Sequence, residues 1–355
     1  MKICFIIRDV TLRAGTERAQ VNLANALAAR GECISIWSYY GRGRLPAFEL
    51  SGEVTVKHGN RQPLPWFLDH PWLMFSFALY VVRSRPQWIV CTDTNRVIVA
   101  LLAAFVPGVR LAVWEHYPVS HSVTKARGRL ARRLAAVLAS ISVILTERDA
   151  DFYARLYAPA GQVTVISNIV ASPVLKPMPR RREVLAVGRL TPEKGFDLLL
   201  KAWAGAIHRL PGWNLRIVGD GEMRDQLLQQ IDNLGIGEHV ALAPSVKNPF
   251  PLYRECGIFI LSSRFEGLPF VLIEAMIQGA PCISFDCPNG PSELIRDRVN
   301  GLLIPPEQVQ ALADAIVELG ENPNLRQKLG DAAQNIAESF SEARIAARWQ
   351  EVLCI

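Results

Sequence analysis

A chain of 355 residues, half of them apolar and a fifth charged, is too long for one ordinary core and about right for two α/β domains. With no low-complexity tract, short repeat or heptad run, this composition excludes disordered, fibrous and coiled-coil proteins. The net charge of +6 is uneven: residues 1–170 carry 20 Lys and Arg against 11 Asp and Glu, whereas residues 171–355 carry 19 against 22. The first half therefore faces something anionic, a nucleic acid or an anionic membrane on charge alone.

The opening MKICFII meets Arg8 and Asp9 too soon for a signal peptide and predicts a first buried strand over 2–7. Arg13-Ala14-Gly15-Thr16-Glu17-Arg18 then joins this strand to a helix over 16–30. Gly15 lets backbone approach a phosphate or a sugar, and Thr16 can cap the helix, although a plain turn reads these residues equally well. Further β-branched runs at 33–37, 88–91, 109–114, 141–145 and 163–166 predict parallel strands. The apolar stretch from Val97 to Trp114 is cut by Pro107, Gly108 and Arg110, so it reads as a buried helix followed by a buried strand. A spanning helix needs roughly 20 unbroken apolar residues, and the expected location is cytoplasmic or peripheral.

The stretch 122–140, SVTKARGRLARRLAAVLAS, places Lys125, Arg129, Arg132 and Arg133 at helical spacing beside Leu130, Leu134, Val137 and Leu138, with Arg127 nearby. This predicts a basic face suited to an anionic membrane, the alternative being a solvated outer helix. Next, TERDADFYARLY predicts a helix starting after Thr146. Asp149 and Asp151 then point to different faces, as helix-start acids rather than as an Asp-x-Asp metal site, and no metal or other cofactor is expected.

Three prolines (173, 177, 179) and Arg180, Arg181 and Arg182 mark residues 171–182 as a linker. The βα rhythm restarts with strands over 183–188, 214–219, 239–243, 257–263 and 280–285, and from 306 onward the chain reads as helical. The expected architecture is α/β: two tandem Rossmann-like doubly wound domains, 1–170 and 183–340, facing a cleft between the carboxyl ends of their sheets. A terminal helix within 341–355 is expected to pack back toward the first domain. The seven cysteines lack CxxC or zinc spacing and read as free thiols in a reducing compartment.

Two strings carry chemistry. In Gly188-Arg189-Leu190-Thr191-Pro192-Glu193-Lys194-Gly195-Phe196, a cationic pair follows a strand and precedes a helix, which suits a diphosphate. In Ser263-Arg264-Phe265-Glu266-Gly267-Leu268-Pro269-Phe270-Val271-Leu272-Ile273-Glu274, Pro269 predicts the first helical position. The free N–H groups near Phe270 and Val271 would face an anion, with Glu266 before the helix and Glu274 inside it. The bland readings are a solvated turn and a capped helix, but Glu274 lies within apolar VLIEAM and needs a partner there. Gly219-Asp220-Gly221 lacks the third glycine of a dinucleotide fingerprint.

GRLTPEKGFDLLL together with RFEGLPFVLIEAM resembles the paired signature of family-4 glycosyltransferases, retaining enzymes of GT-B fold. The similarity extends to RAGTERAQVNLANALAARG, which is similar to the family's Gly-Gly-x-Glu loop and helix, to VTVISNIV, which resembles the strand and Asn turn that close the first domain, and to NPFPLY, DCPNGPSELI and NGLLIPP, which resemble forms found in bacterial polysaccharide enzymes. The resemblance implies that Arg189 and Lys194 hold a donor diphosphate, that Glu266 contacts the transferred sugar and that Glu274 contacts the ribose. Gly15, Thr16, Gly267, Leu268, Phe270 and Val271 complete the implied donor site, and His116 matches a first-domain histidine beside the sugar. Departures are Ala14 for the first glycine of a pair, Gly257 where many relatives have Asp, and Pro244 for a glycine near the base. The implied activity moves a hexose-type sugar from a nucleotide-diphospho-sugar, a UDP-sugar on this resemblance, to a saccharide or lipid-linked saccharide. The alternatives are a sugar-nucleotide epimerase of the same fold and a non-catalytic sugar-nucleotide-binding subunit. A nucleic-acid partner is not expected, because the basic residues lack aromatic interleaving.

Overall fold

The structure is a computed structural model that describes residues 1–12, 14–41, 43–59, 66–119, 126–170 and 178–354. Arg13, Lys125 and residues 171–177 of the expected linker, with Pro173 and Pro177, lie outside the described residues. The chain forms two compact units, Met1–Ala171 with Phe340–Ile355, and Ser172–Ser339.

The first unit runs β1 (Lys2–Asp9), α1 (Gly15–Ala28), β2 (Cys33–Tyr40), β3 (Thr55–His58), α2 (Trp66–Ser84), β4 (Trp88–Thr92), α3 (Val97–Ala100), β5 (Arg110–Trp114), α4 (Ala126–Leu138), β6 (Ile141–Ile144), α5 (Glu147–Tyr157) and β7 (Gln162–Val165). Its strands pair in parallel in the order β3-β2-β1-β4-β5-β6-β7. Because strand side chains alternate, Cys4, Ile6, Ile89, Cys91, Leu111 and Val113 all face one side. There they pack with Leu73, Phe77 and Val81 of α2, Val97 and Ala100 of α3, and Ala135 of α4.

The second unit runs β8 (Glu183–Val187), α6 (Phe196–Ala206), β9 (Asn214–Val218), α7 (Arg224–Leu234), β10 (Val240–Ala243), α8 (Phe250–Glu255), β11 (Ile258–Leu261), α9 (Phe270–Ile277), β12 (Cys282–Phe285), α10 (Pro291–Leu294), β13 (Leu302–Ile304), α11 (Val309–Glu321) and α12 (Pro323–Ala333). Its parallel order is β10-β9-β8-β11-β12-β13. Val184, Ala186, Leu215, Ile217, Ile258 and Ile260 face α6, α7 and α11, while Phe259 on the opposite side meets Tyr253 of α8. In each sheet the strand order reverses once, between β1 and β4 and between β8 and β11. Loops at the carboxyl ends of those strand pairs are where open α/β sheets bind ligands.

The last helix, α13 (Glu342–Leu353), returns to the first unit. Ser341 caps it by accepting from Arg344 N–H. Trp349 meets Trp114 edge-on with centroids 5.1 Å apart, and Trp88 Nε1 donates to the Leu353 carbonyl at 3.1 Å.

Four expectations change. Thr16 does not cap α1: the helix begins at Gly15, and Ala14 occupies the cap with no side-chain bond to offer. Pro269 is the residue before α9 rather than its first residue, held in extended backbone. Arg132 leaves the expected basic face: it is buried and lies 3.0 Å from Glu115. Strands β3 and β13 are additional to the predicted set. Asp149 and Asp151 diverge as expected, since the Val119 N–H reaches both Asp149 oxygens whereas Asp151 stands exposed 4.0 Å from Arg155.

Candidate functional site

The loops after β8 and β11 lie side by side at the point where the second sheet reverses. Gly195 holds φ +62°, and a Cβ there would stand 2.1 Å from the Ser262 carbonyl, so only glycine lets the loops close up. Arg264 fastens them further. It grips both oxygens of Asp197 at 2.8 Å, donates to the Pro192 carbonyl at 2.7 Å, and its N–H reaches Glu193 O at 2.8 Å. Burial alone would raise the Asp197 carboxyl, but this fork holds it below the usual value. Ser262 Oγ completes the lock by donating to Lys194 O at 3.0 Å.

Within this frame Lys194 Nζ sits 2.7 Å from Glu266 Oε1, which also accepts from Ser263 Oγ at 2.6 Å. Both charged groups are largely buried, which gives the ammonium one fixed position and leaves its other protons for a ligand. Arg189 is not drawn into this cluster. Its side chain is 76% exposed and lies 3.6 Å from Glu193 on the same loop. The backbone beneath it is nevertheless fixed, since Leu190 N–H donates to Asp220 O and Met223 N–H to Leu190 O. A Cβ at Gly219 would meet Gly188 O at 1.8 Å, and one at Gly221 would meet Leu190 O at 2.4 Å. Those two glycines, too few for a fingerprint, thus seat the Arg189 loop.

Helix α9 starts directly after the Glu266 loop. Leu272 and Ile273 donate to Pro269 O at 3.0 and 3.2 Å, whereas the N–H groups of Phe270 and Val271 have no helical carbonyl within reach. Gly267 lies against Gly290, where a Cβ would stand 2.9 Å from Gly267 O, and the Leu268 side chain is buried, so both present backbone. Glu274 is 2% exposed and accepts from Tyr253 OH at 3.1 Å, a partner the sequence did not name. Gly257 has a packing reason: a Cβ there would lie 2.5 Å from Arg181 O and 2.8 Å from the Trp213 ring.

The first unit gathers its own polar groups at the ends of β1, β4 and β5. Gly15 opens α1 with empty space where a Cβ would project, so a ligand can approach its backbone. Thr16 follows within the helix, and Glu17 is buried, which raises its carboxyl. Asp93, which no motif singles out, holds φ +112°. That strain is kept by its N–H donating to the Trp114 carbonyl at 2.9 Å and by its carboxylate accepting from Asn95 N–H at 2.8 Å. Glu115 is buried against Arg132 and Thr94, and burial pushes its carboxyl up against the pull of Arg132. His116 places Nδ1 3.2 Å from Trp114 O and stacks at a tilt on that indole, while Nε2 has no hydrogen-bond partner among the described residues. Burial lowers this imidazole to about 4, so it is neutral at physiological pH.

Each unit is a parallel α/β sheet with charged and polar groups at its reversal point, as in a GT-B glycosyltransferase. Residues 172–336 match the family model described as glycosyl transferases group 1. Over 99% of both chains, the protein is 28% identical to the amylovoran biosynthesis glycosyltransferase AmsD of Erwinia amylovora. It is also 28% identical, over 99% of its own length and 98% of the relative's, to a Campylobacter jejuni enzyme named for adding N-acetylgalactosamine to an undecaprenol-diphosphate-linked saccharide. Among solved structures, Anabaena HepE in complex with UDP matches with a TM-score of 0.83 at 21% identity, covering all of both chains.

Proposed function

We propose that the protein is a retaining, metal-independent hexosyltransferase that moves sugar from UDP-hexose to a saccharide or lipid-linked saccharide. The observation that carries this reading is the fixed Lys194–Glu266 pair beside the free N–H groups of α9. When the anomeric C–O bond breaks, negative charge builds on the departing diphosphate. Lys194, the α9 N–H groups and the exposed Arg189 stabilise that charge where other designs use a cation. Glu266, already paired with Lys194, accepts from sugar hydroxyls, and Glu274, oriented by Tyr253, accepts from the ribose. Gly15, Thr16 and His116 supply the first unit's contacts to the donor, His116 as a neutral hydrogen-bonding group. Asp149 and Asp151 do not form a chelating pair, which favours the metal-free design.

The named activities of the Erwinia and Campylobacter relatives favour a saccharide acceptor, the latter one carried on a lipid, and the UDP held by HepE favours uracil as the base. No helix among the described residues is long and apolar enough to cross a membrane. In this reading the enzyme is cytoplasmic, and Arg129 and Arg133 of α4 bring its first unit to an anionic membrane.

A thermal-shift screen across UDP-, GDP- and ADP-sugars, followed by NMR of the product's anomeric proton, tests the reading. A UDP-hexose should stabilise the protein, and the product should keep the donor's configuration. An inverted product would overturn retention, and release of epimerised nucleotide without acceptor would identify an epimerase.

A further inference from the structure

Helix α2 is apolar on two sides, and only one of them is covered. Leu73, Phe77 and Val81 enter the core of the first unit. Trp72, Phe75, Leu79 and Val82, spaced by three, four and three residues, form a second stripe that is solvent-exposed. A helix apolar all round belongs inside something. The same layer of helices continues the pattern: α2, α3 and α4 pack on one face of the sheet, and their outward side adds Phe105 (71% exposed) just beyond α3 and Val137 (72% exposed) on α4.

Charge identifies the occupant. From His70 to Thr146 the sequence holds nine Lys and Arg and just two acids, Asp93 and Glu115. Both acids are buried, Glu115 against Arg132, so neither offers surface charge to this layer. Asp69, at the start of α2, is buried as well and bonded to Tyr40. Arg83, Arg85, Arg129 and Arg133 are exposed on these same segments. A protein partner or a second copy of this chain would be met by a rim of mixed charge. A rim of one sign around tryptophan and phenylalanine fits anionic lipid headgroups above acyl chains.

We infer that the outward face of α2, α3 and α4 is a bilayer-docking surface on which Trp72, Phe75 and Phe105 enter the acyl region of an anionic leaflet. The inference rests on the reading of a peripheral enzyme and deepens it. Arginine contact alone would hold the protein above the headgroups, and salt would release it. Inserted aromatics hold it through salt and fix which face meets the lipid.

The test is tryptophan quenching and cosedimentation with phosphatidylglycerol-containing vesicles, some carrying brominated acyl chains. Wild-type fluorescence should be quenched by the brominated lipid, and Trp72→Phe should lose most of that quenching while remaining bound. Phe75→Glu with Phe105→Glu should weaken vesicle binding ten-fold or more, leave UDP affinity unchanged, and leave the wild-type protein's residual binding at high salt without a counterpart. Equal quenching of wild type and Trp72→Phe would overturn the insertion. So would binding that salt abolishes and the double substitution does not touch, which leaves the arginine contact standing alone. If wild type ignores every vesicle at low salt, both the insertion and the membrane reading fall. Light scattering that shows a dimer split by the double substitution would then assign the face to a second copy. Turnover on a soluble saccharide acceptor, measured separately, reports on glycosyl transfer whatever the vesicles show.

Discussion

In the proposed function Lys194 and Glu274 do different work because their surroundings differ. Lys194 is fixed by a carboxylate, Glu266, that itself has hydrogen-bonding capacity to spare, whereas Glu274 is buried with a neutral phenol. Removing Glu274 should therefore chiefly weaken binding of free UDP, and removing Glu266 should chiefly lower turnover by releasing both the sugar contact and Lys194. Calorimetry with UDP alone separates them: Glu274→Ala should bind ten-fold or more weakly, a loss of about 1.4 kcal/mol, with Glu266→Ala nearer to wild type. Equal UDP affinity of Glu274→Ala and wild type would remove the ribose role.

His116 makes a prediction of the opposite kind, about protons. Burial lowers it to about 4 from an ordinary 6.5, so the folded chain refuses a proton that the unfolded chain accepts. The stability this represents is complete above the ordinary value and is lost as pH falls from there toward 4. Wild type should lose more stability than His116→Gln between about pH 7 and pH 5 in denaturant titrations. Parallel losses would mean that the imidazole is not shielded.

At the scale of elements, the strands that read clearly were those whose residues are buried on both faces, such as KICFII and WIVC. Strand β3, Thr55–His58, lies at the sheet edge with half its residues exposed and leaves no apolar run, and β13 is a run of three residues, LLI, too short to tell from a loop. The loop chemistry was legible where charge and glycine stood together, as at Lys194-Gly195. It was not legible where the partner came from a distant element. Arg264 clasping Asp197, Tyr253 holding Glu274 and Gly219 seating the Arg189 loop are contacts between separate turns that spacing cannot reveal. Asp93 escaped notice because its strained backbone has no sequence signature.

Helix α13 illustrates an energetic consequence at the same scale. Trp349 is fully buried against Trp114, and Leu353 receives Trp88, so this segment fills a hole in the first unit's core. Trp349→Ala should cost roughly 3–5 kcal/mol. Hydrogen exchange should show the loss in strands β4 and β5, with β8 and β11 still protected. Uniform loss across both sheets would mean that the two cores do not unfold as separate units.

For the molecule as a whole, charge and chemistry divide between the units. The second, with its slight acidic excess, holds the Lys194–Glu266 pair of the proposed donor site, and the first spreads its basic residues over a helix layer with almost no acids. The central claim is that the second unit activates a UDP-hexose by protein cations alone. The measurement that tests it most directly is UDP release from UDP-hexose in excess EDTA, for wild type, Lys194→Ala and Arg189→Ala. Wild type should turn over undiminished, and each substitution should cut the rate by roughly a hundred-fold or more with the fold intact. Activity abolished by EDTA and restored by Mn²⁺, or folded variants that match wild type, would contradict it.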